Sequence, residues 1–330
     1  MSMKRATLRT HRIIRVICSL VIVASIFVAL RCVNFFAIYD TISSQGYDPS
    51  QQLSELIQNL RLTPKGERII RGTRAELQNA DSFNNSCKRF GENIVLLGCY
   101  SSNQIFVYNI DDRDLRGVRE ATLAHELLHA IWARMSAGER DAIKPALDKV
   151  YEENEDLQEH LRLYESTEYY DELHSIVGSQ INSDQLPENL RAHYAKYFID
   201  PNVPANYYHQ YSDKLIVIEK RIDELVTKIE STKSDVEVRR QKYNLANEKL
   251  SEDIADYNSR NSRGLIGAEQ ANIEREALVK RQENLSTEYT NLVNLIADYN
   301  VYVEEYNQYV NFTNKVYKSM DSKAEKAGED

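Results

Sequence analysis

The chain has 330 residues, of which 42% are hydrophobic and 28% are charged, and its formal net charge is −9. This hydrophobic content is sufficient for a folded core, and the length allows two domains. The acidic balance excludes a strongly basic nucleic-acid-binding surface, so we expect no nucleic-acid partner.

The N-terminal segment combines a basic stretch with a long apolar run. Residues 1–12 are rich in Lys and Arg, and residues 13–30 read IIRVICSLVIVASIFVAL, interrupted only by Arg15. About 18 apolar residues just cross a bilayer, and a basic flank stays in the cytoplasm. No small-residue cleavage site follows, which favours an uncleaved anchor over a signal peptide. We predict a cytoplasmic tail over 1–12, a single transmembrane helix over 13–33 and an extracytoplasmic remainder at the cell membrane.

A juxtamembrane connector over 34–49 leads to a segment that contains two cysteines, Cys87 and Cys99. Neither belongs to a C-x-x-C pair, so a cysteine zinc site is not expected. In an oxidising compartment they can form a disulfide, and otherwise both are ordinary buried thiols. The sequence leaves both interpretations open.

Two runs rich in β-branched and aromatic residues follow. Asn93–Tyr100 reads NIVLLGCY and Gln104–Ile110 reads QIFVYNI, with a short polar turn between them. This pattern predicts an antiparallel hairpin, and its second strand is a candidate edge for a peptide substrate. With the helical patterns around it, the hairpin predicts an α+β domain over 50–203.

The segment Ala121–Arg134, ATLAHELLHAIWAR, predicts a largely apolar helix that carries two histidines and a glutamate. His125 and His129 share one helical face, so both imidazoles can reach one metal ion. Glu126 stands beside the first histidine, where it can act as the general base of a metal-dependent hydrolase. A purely structural role would leave these polar side chains on an apolar helix without partners, which is costly. The motif therefore predicts a zinc site.

This helix resembles the active-site helix of the zincin metallopeptidases. Residues 169–178, YYDELHSIVG, resemble the glutamate-bearing second helix of the gluzincin branch, whereas the metzincin continuation after His129 is absent. Together with LLGCY and HYAKYF, these motifs resemble an uncharacterised group of membrane-anchored bacterial gluzincin-like proteins. The resemblance covers about 50–200. It implies a zincin-like domain, zinc as the cofactor, peptidase activity and an extracytoplasmic protein or peptide as the substrate.

The third metal ligand is the open question within the segment 168–174. Glu172 and Glu168 lie four positions apart and share a helical face, so either can reach the ion, and Glu172 is favoured. Asp171 and His174 are alternatives, although His174 lies nearly opposite Glu172 on a helix. Candidates for outer contacts to the ligands or for transition-state stabilisation are Glu168, His174, Tyr169, His193 and Tyr194.

From about Tyr207 onward, apolar residues recur every seven positions. The first series is Leu215, Ile222, Ile229, Val236, Tyr243, Leu250 and Tyr257, and the second is Leu278, Leu285, Leu292, Tyr299 and Tyr306. Such heptads predict a coiled coil, and the Gly-bearing break at 259–267 favours an antiparallel hairpin over a parallel oligomer. We predict this hairpin over 204–320, available for self-association or for docking a partner, and a disordered tail over 321–330.

These features predict a zincin-like α+β domain with a small antiparallel sheet, followed by an all-α coiled-coil hairpin and preceded by a transmembrane helix. The predicted function is that of a membrane-anchored extracytoplasmic zinc metallohydrolase, a peptidase in which Glu126 is the general base. The alternative is a structural envelope protein whose metal-binding domain is degenerate or non-catalytic. The presence of Glu126 favours the enzyme, because a structural metal site has no use for a base.

Overall fold

The computed structural model describes residues 35–87, 95–162 and 168–323. They divide into two compact units. The first comprises the described residues up to Tyr211 together with residues 320–323, and the second comprises Ser212–Ser319. The predicted transmembrane segment, 13–33, lies outside the described residues. Within the described ranges, no helix combines the length and the apolar character needed to cross a bilayer.

The first unit is built mainly of short helices. Its elements in chain order are α1 (Phe35–Ser43), α2 (Gln51–Asn59), α3 (Pro64–Gly72), β1 (Glu76–Gln78), α4 (Ala80–Ser86), β2 (Gly98–Ser101), β3 (Gln104–Tyr108), α5 (Val118–Arg134), α6 (Ala137–Glu152), α7 (Glu155–Leu161), α8 (Tyr169–Gln180) and α9 (Glu188–Tyr194). Single 3-10 turns occupy Arg113–Leu115 and Ser183–Gln185. Two long helices, α10 (Asn202–Ser262) and α11 (Ala268–Met320), complete the chain.

The helix boundaries follow from local capping chemistry. The Thr63 hydroxyl accepts a hydrogen bond from the amide of Gly66, and Pro64 takes the first position of α3, where no amide hydrogen is needed. A reciprocal capping box between Ser136 and Glu139 starts α6. Gly117 precedes α5 with φ of 93°, a conformation that a side chain would oppose. Gly117 and Ser136 therefore separate α5 from the elements before and after it.

The predicted α+β class with an antiparallel sheet is wrong. The structure is predominantly helical, and its small sheet has three strands in the order β1-β3-β2. β2 pairs antiparallel with β3, whereas β1 runs parallel to β3. β1 has the sequence Glu76-Leu77-Gln78, which is too short and too polar to show a strand pattern. Consequently β3 is the central strand, and its edges are occupied by β1 and β2.

Helix α5 lies in the middle of the hydrophobic core of the first unit. Leu123, Leu127, Leu128 and Ile131 are fully buried, and full burial of each such side chain stabilises the fold by about 1.5–3 kcal/mol. Helix α8 packs directly against α5. A Cβ on Gly178 would lie 2.9 Å from Leu128 Cδ1 and 2.4 Å from the Tyr194 ring, so only glycine permits this approach. The close packing sets the distance between the two helices that carry the predicted ligands.

In the second unit, α10 and α11 run antiparallel around a turn over 263–267, where Gly264 has φ of 66°. Ion pairs across the two helices join Arg221 to Glu305 at 2.8 Å and Arg260 to Glu274 at 2.7 Å. Leu225, Leu250 and Leu292 are buried. Because surface ion pairs contribute only about 0–1 kcal/mol each, the apolar positions supply most of the pairing energy.

The end of α11 belongs to the first unit. Ser322 is fully buried; its hydroxyl donates to Asn84 Oδ1 at 2.8 Å, and Asn84 Nδ2 donates to the Ser322 carbonyl at 2.9 Å. The predicted disordered tail begins at 321, whereas residues 321–323 are ordered by this contact with α4. The rest of that tail, 324–330, lies outside the described residues.

Candidate metal centre

Helices α5 and α8 bring three predicted ligands together. His125 Nε2 lies 3.1 Å from His129 Nε2 and 3.5 Å from Glu172 Oε1, and His129 Nε2 lies 3.4 Å from Glu172 Oε2. Within the described part of the chain, no other group of three or more His, Cys, Asp or Glu side chains brings its donor atoms close enough to share one ion. The triad can hold a metal ion.

The outer nitrogens of both imidazoles contact hydrogen-bonding partners on α8. His129 Nδ1 lies 2.8 Å from Asp171 Oδ1, and a carboxylate can only accept there. The Ser179 hydroxyl donates to the Ser175 carbonyl at 2.6 Å, so its oxygen is left to accept from His125 Nδ1 at 3.3 Å. Both contacts place the proton on Nδ1 and leave the Nε2 lone pairs for a metal. Asp171, considered above as a ligand, therefore contacts the outer nitrogen of His129 instead.

His129 lies between two carboxylates, and this arrangement controls its protonation. Burial alone would lower the pKa of His129, but hydrogen bonds to Asp171 and Glu172 outweigh burial and raise that pKa well above its ordinary value. A proton and a metal ion compete for the same Nε2 lone pair. The two negative charges that favour the proton would equally favour a cation at this position.

Glu126 is buried beside the three ligands. Burial raises the pKa of Glu126 to about 7; the nearby Glu172 and Asp171 add to the increase, while His129 and the backbone amide of Tyr100 oppose it. Strand β2 approaches this side chain at Gly98, where a Cβ would lie 2.8 Å from Glu126 Cγ. Glycine at that position therefore lets the outer strand of the sheet pass directly over the carboxyl group.

A cavity of about 200 Å³ opens onto the site. It is lined by His125, Glu126 and Glu172, by β2 and the residues preceding it, and by two tyrosines at the start of α10, Tyr208 and Tyr211. Sequence reasoning missed these tyrosines because they adjoin the heptad region and were grouped with it. The sequence feature that could have indicated them is the tyrosine-rich segment Tyr207–Tyr211, YYHQY, which lies just before the first heptad position, Leu215.

The remaining predicted site residues lie elsewhere in the first unit. Glu168 is exposed at the start of α8, and the Tyr169 ring packs against Tyr151 with centroids 5.6 Å apart. His174 points away from the ligands into the core, where its Nε2 lies 3.0 Å from His193 Nε2. The Tyr194 hydroxyl donates to the His174 carbonyl at 2.9 Å. Burial lowers the pKa of both histidines, that of His193 to about 4, so the pair is neutral and structural.

The structure joins Cys87 and Cys99 in a disulfide. The bond connects the end of α4 to β2, one residue from Gly98, and so ties the strand that passes over Glu126 to α4. No protein-family model, curated protein or solved structure matches the chain. The arguments for function therefore rest on the geometry of the site.

Proposed function

We propose that the protein is a membrane-anchored, extracytoplasmic zinc-dependent hydrolase that cleaves peptide bonds. The observation that carries this proposal is the convergence of His125, His129 and Glu172 at mutual distances of 3.1–3.5 Å, with the buried Glu126 carboxyl opening into the same cavity. The ligands alone would suit a structural ion, whereas the additional carboxyl group favours a hydrolytic role.

The donor set and its spacing favour zinc. Ligand distances of about 2.0–2.1 Å in a tetrahedral site place the donor atoms about 3.3–3.4 Å apart, close to the separations between the three side chains. Two imidazoles and one carboxylate form a common catalytic zinc set, in which the fourth position is left for water or substrate. A cavity adjoins Glu172 and His125, so an exchangeable position has access to solvent.

The proposed chemistry is general base catalysis of amide hydrolysis. A zinc ion in this site would act as a Lewis acid towards a water molecule and the substrate carbonyl. Glu126 accepts the proton of the attacking water and then delivers it to the leaving amine. Burial raises the pKa of Glu126, which favours proton uptake, whereas a neighbouring zinc ion would lower that pKa and keep the carboxylate form available as the base.

Strand β2 is the proposed platform for the peptide substrate, in place of the β3 edge expected from the sequence. β3 is paired on both sides, whereas β2 is the outer strand of the described sheet. The Tyr100 amide faces Glu126 and not β3, and Gly98 lies two residues earlier, so it presents its backbone to the same side. Because the Tyr100 amide is occupied by Glu126, an extended peptide would pair with the remaining outward backbone groups of Gly98 and Tyr100 beside the predicted ligands.

Two observations support the proposed location. The apolar run at 13–30 with its basic flank favours a single-pass anchor with a cytoplasmic N-terminus. A disulfide between Cys87 and Cys99 fits an oxidising, extracytoplasmic compartment better than the cytoplasm.

The decisive experiment measures metal content and peptide cleavage on the same preparation. The full chain, purified in detergent without chelator, should contain one zinc per chain and should cleave members of a random peptide library. Glu126→Gln should keep the zinc and lose cleavage by about 10²–10⁴-fold, because that carboxyl moves a proton and binds no metal. Absence of a stoichiometric transition metal would refute the proposal. Zinc without cleavage by the native chain would favour the alternative, a structural coiled-coil protein with a non-catalytic metal site.

A further inference from the structure

Helix α1 presents an apolar face to the outside. Phe35, Ile38, Tyr39 and Ile42 are 65%, 50%, 46% and 62% exposed. Their spacing of three and four positions places them along one side of the helix. A surface helix of a water-soluble domain normally turns such a stripe inward, so this face is arranged for a non-aqueous surrounding.

The opposite side of α1 is fixed to the first unit by a buried charge. Asp40 is 2% exposed and accepts two hydrogen bonds from Arg134, at the end of α5, at 2.6 and 2.9 Å. Helix α3 packs against the same side at Gly72, where a Cβ would lie 2.6 Å from Asp40 Cβ. Rotating the apolar stripe inward would bring Asp40 out and leave Arg134 buried without its partner. The outward direction of the stripe is therefore built into the fold.

The polar groups of α1 are compatible with an apolar medium. From Phe35 to Tyr47 the chain contains one charged residue, Asp40, which faces inward. The Thr41 hydroxyl donates to the Ala37 carbonyl at 2.7 Å, and the Ser44 hydroxyl donates to the Thr41 carbonyl at 3.0 Å. Because these hydroxyls bond within the helix, transferring this side out of water leaves neither without a partner.

Helix α3, beside α1, is cationic. Its sequence PKGERIIRG carries Lys65, Arg68 and Arg71 against a single acid, Glu67. Lys65 and Arg68 line a cavity of about 240 Å³ together with Phe36 of α1 and Glu139. Lys65 Nζ donates to the Tyr197 hydroxyl at 3.3 Å, so Arg68 and Arg71 are the cations that remain for headgroups. An apolar helix flanked by basic side chains is complementary to the acyl boundary of a bilayer and to its anionic headgroups.

We propose that the exposed face of α1 lies in the interface of an anionic lipid bilayer, with the cations of α3 at the headgroups. The inference rests on the predicted anchor and not on the catalytic proposal. Four residues, 31–34, separate the apolar run at 13–30 from Phe35, so the end of that run and Phe35 are at most about 18 Å apart. A membrane-embedded run would therefore hold α1 at the bilayer surface, where the rings of Phe35, Phe36 and Tyr39 suit the interface.

The test uses the full chain reconstituted into vesicles of phosphatidylcholine and phosphatidylglycerol that contain acyl-brominated lipid. A fluorophore is attached to single cysteines introduced as Ile38→Cys or Ile42→Cys, in a chain with Cys32→Ser and Cys18→Ser. The matched control is Glu152→Cys, an exposed position at the far end of α6. A label on native Cys18, in a chain with Cys32→Ser, reports the anchor itself.

Quenching at positions 38 and 42 should exceed quenching at 152 by several-fold, alongside strong quenching at Cys18. Removing phosphatidylglycerol should reduce quenching at position 42, and Arg68→Gln with Arg71→Gln should abolish that lipid dependence. Quenching at Cys18 with none above the control at 38 and 42 would overturn the inference while leaving the anchor intact. Energy transfer between labels at position 42 on two chains, independent of lipid, would overturn it in favour of a second copy. No quenching at Cys18 would overturn both the anchor and the inference.

Discussion

His129 Nδ1 lies 2.8 Å from Asp171 Oδ1, on the ring nitrogen opposite the one that meets Glu172. Asp171 and Glu172, which are consecutive in α8, thus contact the two ring nitrogens of the same imidazole. A carboxylate behind a ligating histidine fixes its tautomer and raises its basicity.

Asp171→Asn should weaken metal binding without abolishing it. The amide can no longer hold the Nδ1 proton by charge, so we expect a loss of about 10–100-fold in affinity, as is typical for such outer partners. Competition with a chromogenic chelator measures the change. Asp141→Asn, an exposed acid paired with Lys144, is the matched control and should bind metal normally. Equal affinity in both variants would contradict the orienting role of Asp171.

Glu172→Gln should release the metal, whereas Glu168→Gln should retain it. Two histidines rarely hold zinc against competition, and Glu168 is exposed at the start of α8 while Glu172 meets both imidazoles. Elemental analysis after dialysis distinguishes the two variants. Retention of metal by Glu172→Gln together with loss in Glu168→Gln would reverse the ligand assignment.

Gly98→Ala should impair turnover although it adds one methyl group. That Cβ would lie 2.6 Å from Thr122 Cγ2 and 2.8 Å from Glu126 Cγ, so either β2 or the base must move. A displacement of about 1 Å can cost on the order of 10²-fold in rate. Gly138→Ala is the control, since nothing lies within 4 Å of its Cβ. If both variants cleave peptide at the native rate, β2 does not constrain Glu126.

Asp40→Ala should destabilise the first unit by about 3–5 kcal/mol, because it leaves the buried Arg134 charge without a carboxylate, with only the neutral oxygens of Tyr100, Asn103 and Ala130 as acceptors. Trp132, the single tryptophan, is buried in this unit, so its fluorescence during denaturant unfolding reports the change. Asp141→Asn breaks an exposed ion pair and should cost less than about 1 kcal/mol. An equal decrease in the free energy of unfolding in the two variants would show that the Asp40–Arg134 pair contributes no more than an exposed ion pair.

The stability of the first unit should fall with acidification because of His193. Burial, with smaller contributions from Lys196 and Lys65, lowers the pKa of His193 from 6.5 to about 4. The unfolded chain therefore binds the proton more tightly, so stability is present above pH 6.5 and is lost as the pH falls towards 4. His193→Gln should show a shallower loss over this interval in the Trp132 unfolding assay. An unchanged slope would assign the acid sensitivity to other groups.

The helix that carries His125 and His129 could be predicted because its information is local. His125 and His129 share a face through helical periodicity alone, and the apolar surroundings follow from composition. The sequence could not decide between Glu172 and Glu168 as the third ligand, because helical periodicity places both on one face. The structure distinguishes them, since α8 begins after Glu168 and buries Glu172. The sheet was mispredicted for a related reason, since β1 is defined by its pairing with β3 and not by its own three residues.

Long-range partners account for the rest. Asp40 and Arg134 are far apart in sequence, and nothing near either one indicates a buried ion pair. Tyr208 and Tyr211 line the cavity, and the adjacent Tyr207 packs against Gly117, where a Cβ would lie 2.6 Å from the Tyr207 carbonyl. Such contacts depend on the folded chain, so composition and periodicity could not reveal them.

The hydrogen bonds between Asn84 and Ser322 determine how truncations and deletions in the long hairpin would affect the first unit. The chain leaves the first unit after Tyr211 and re-enters it at Met320, so the hairpin is an insertion within that unit and not an appendage. A stop codon placed in α11 would remove Ser322 and expose the surface it covers, in addition to shortening the hairpin. An internal deletion that joins the paired helices closer to their base would preserve both chain crossings. Truncation phenotypes in this gene would therefore report on the first unit as well as on the hairpin.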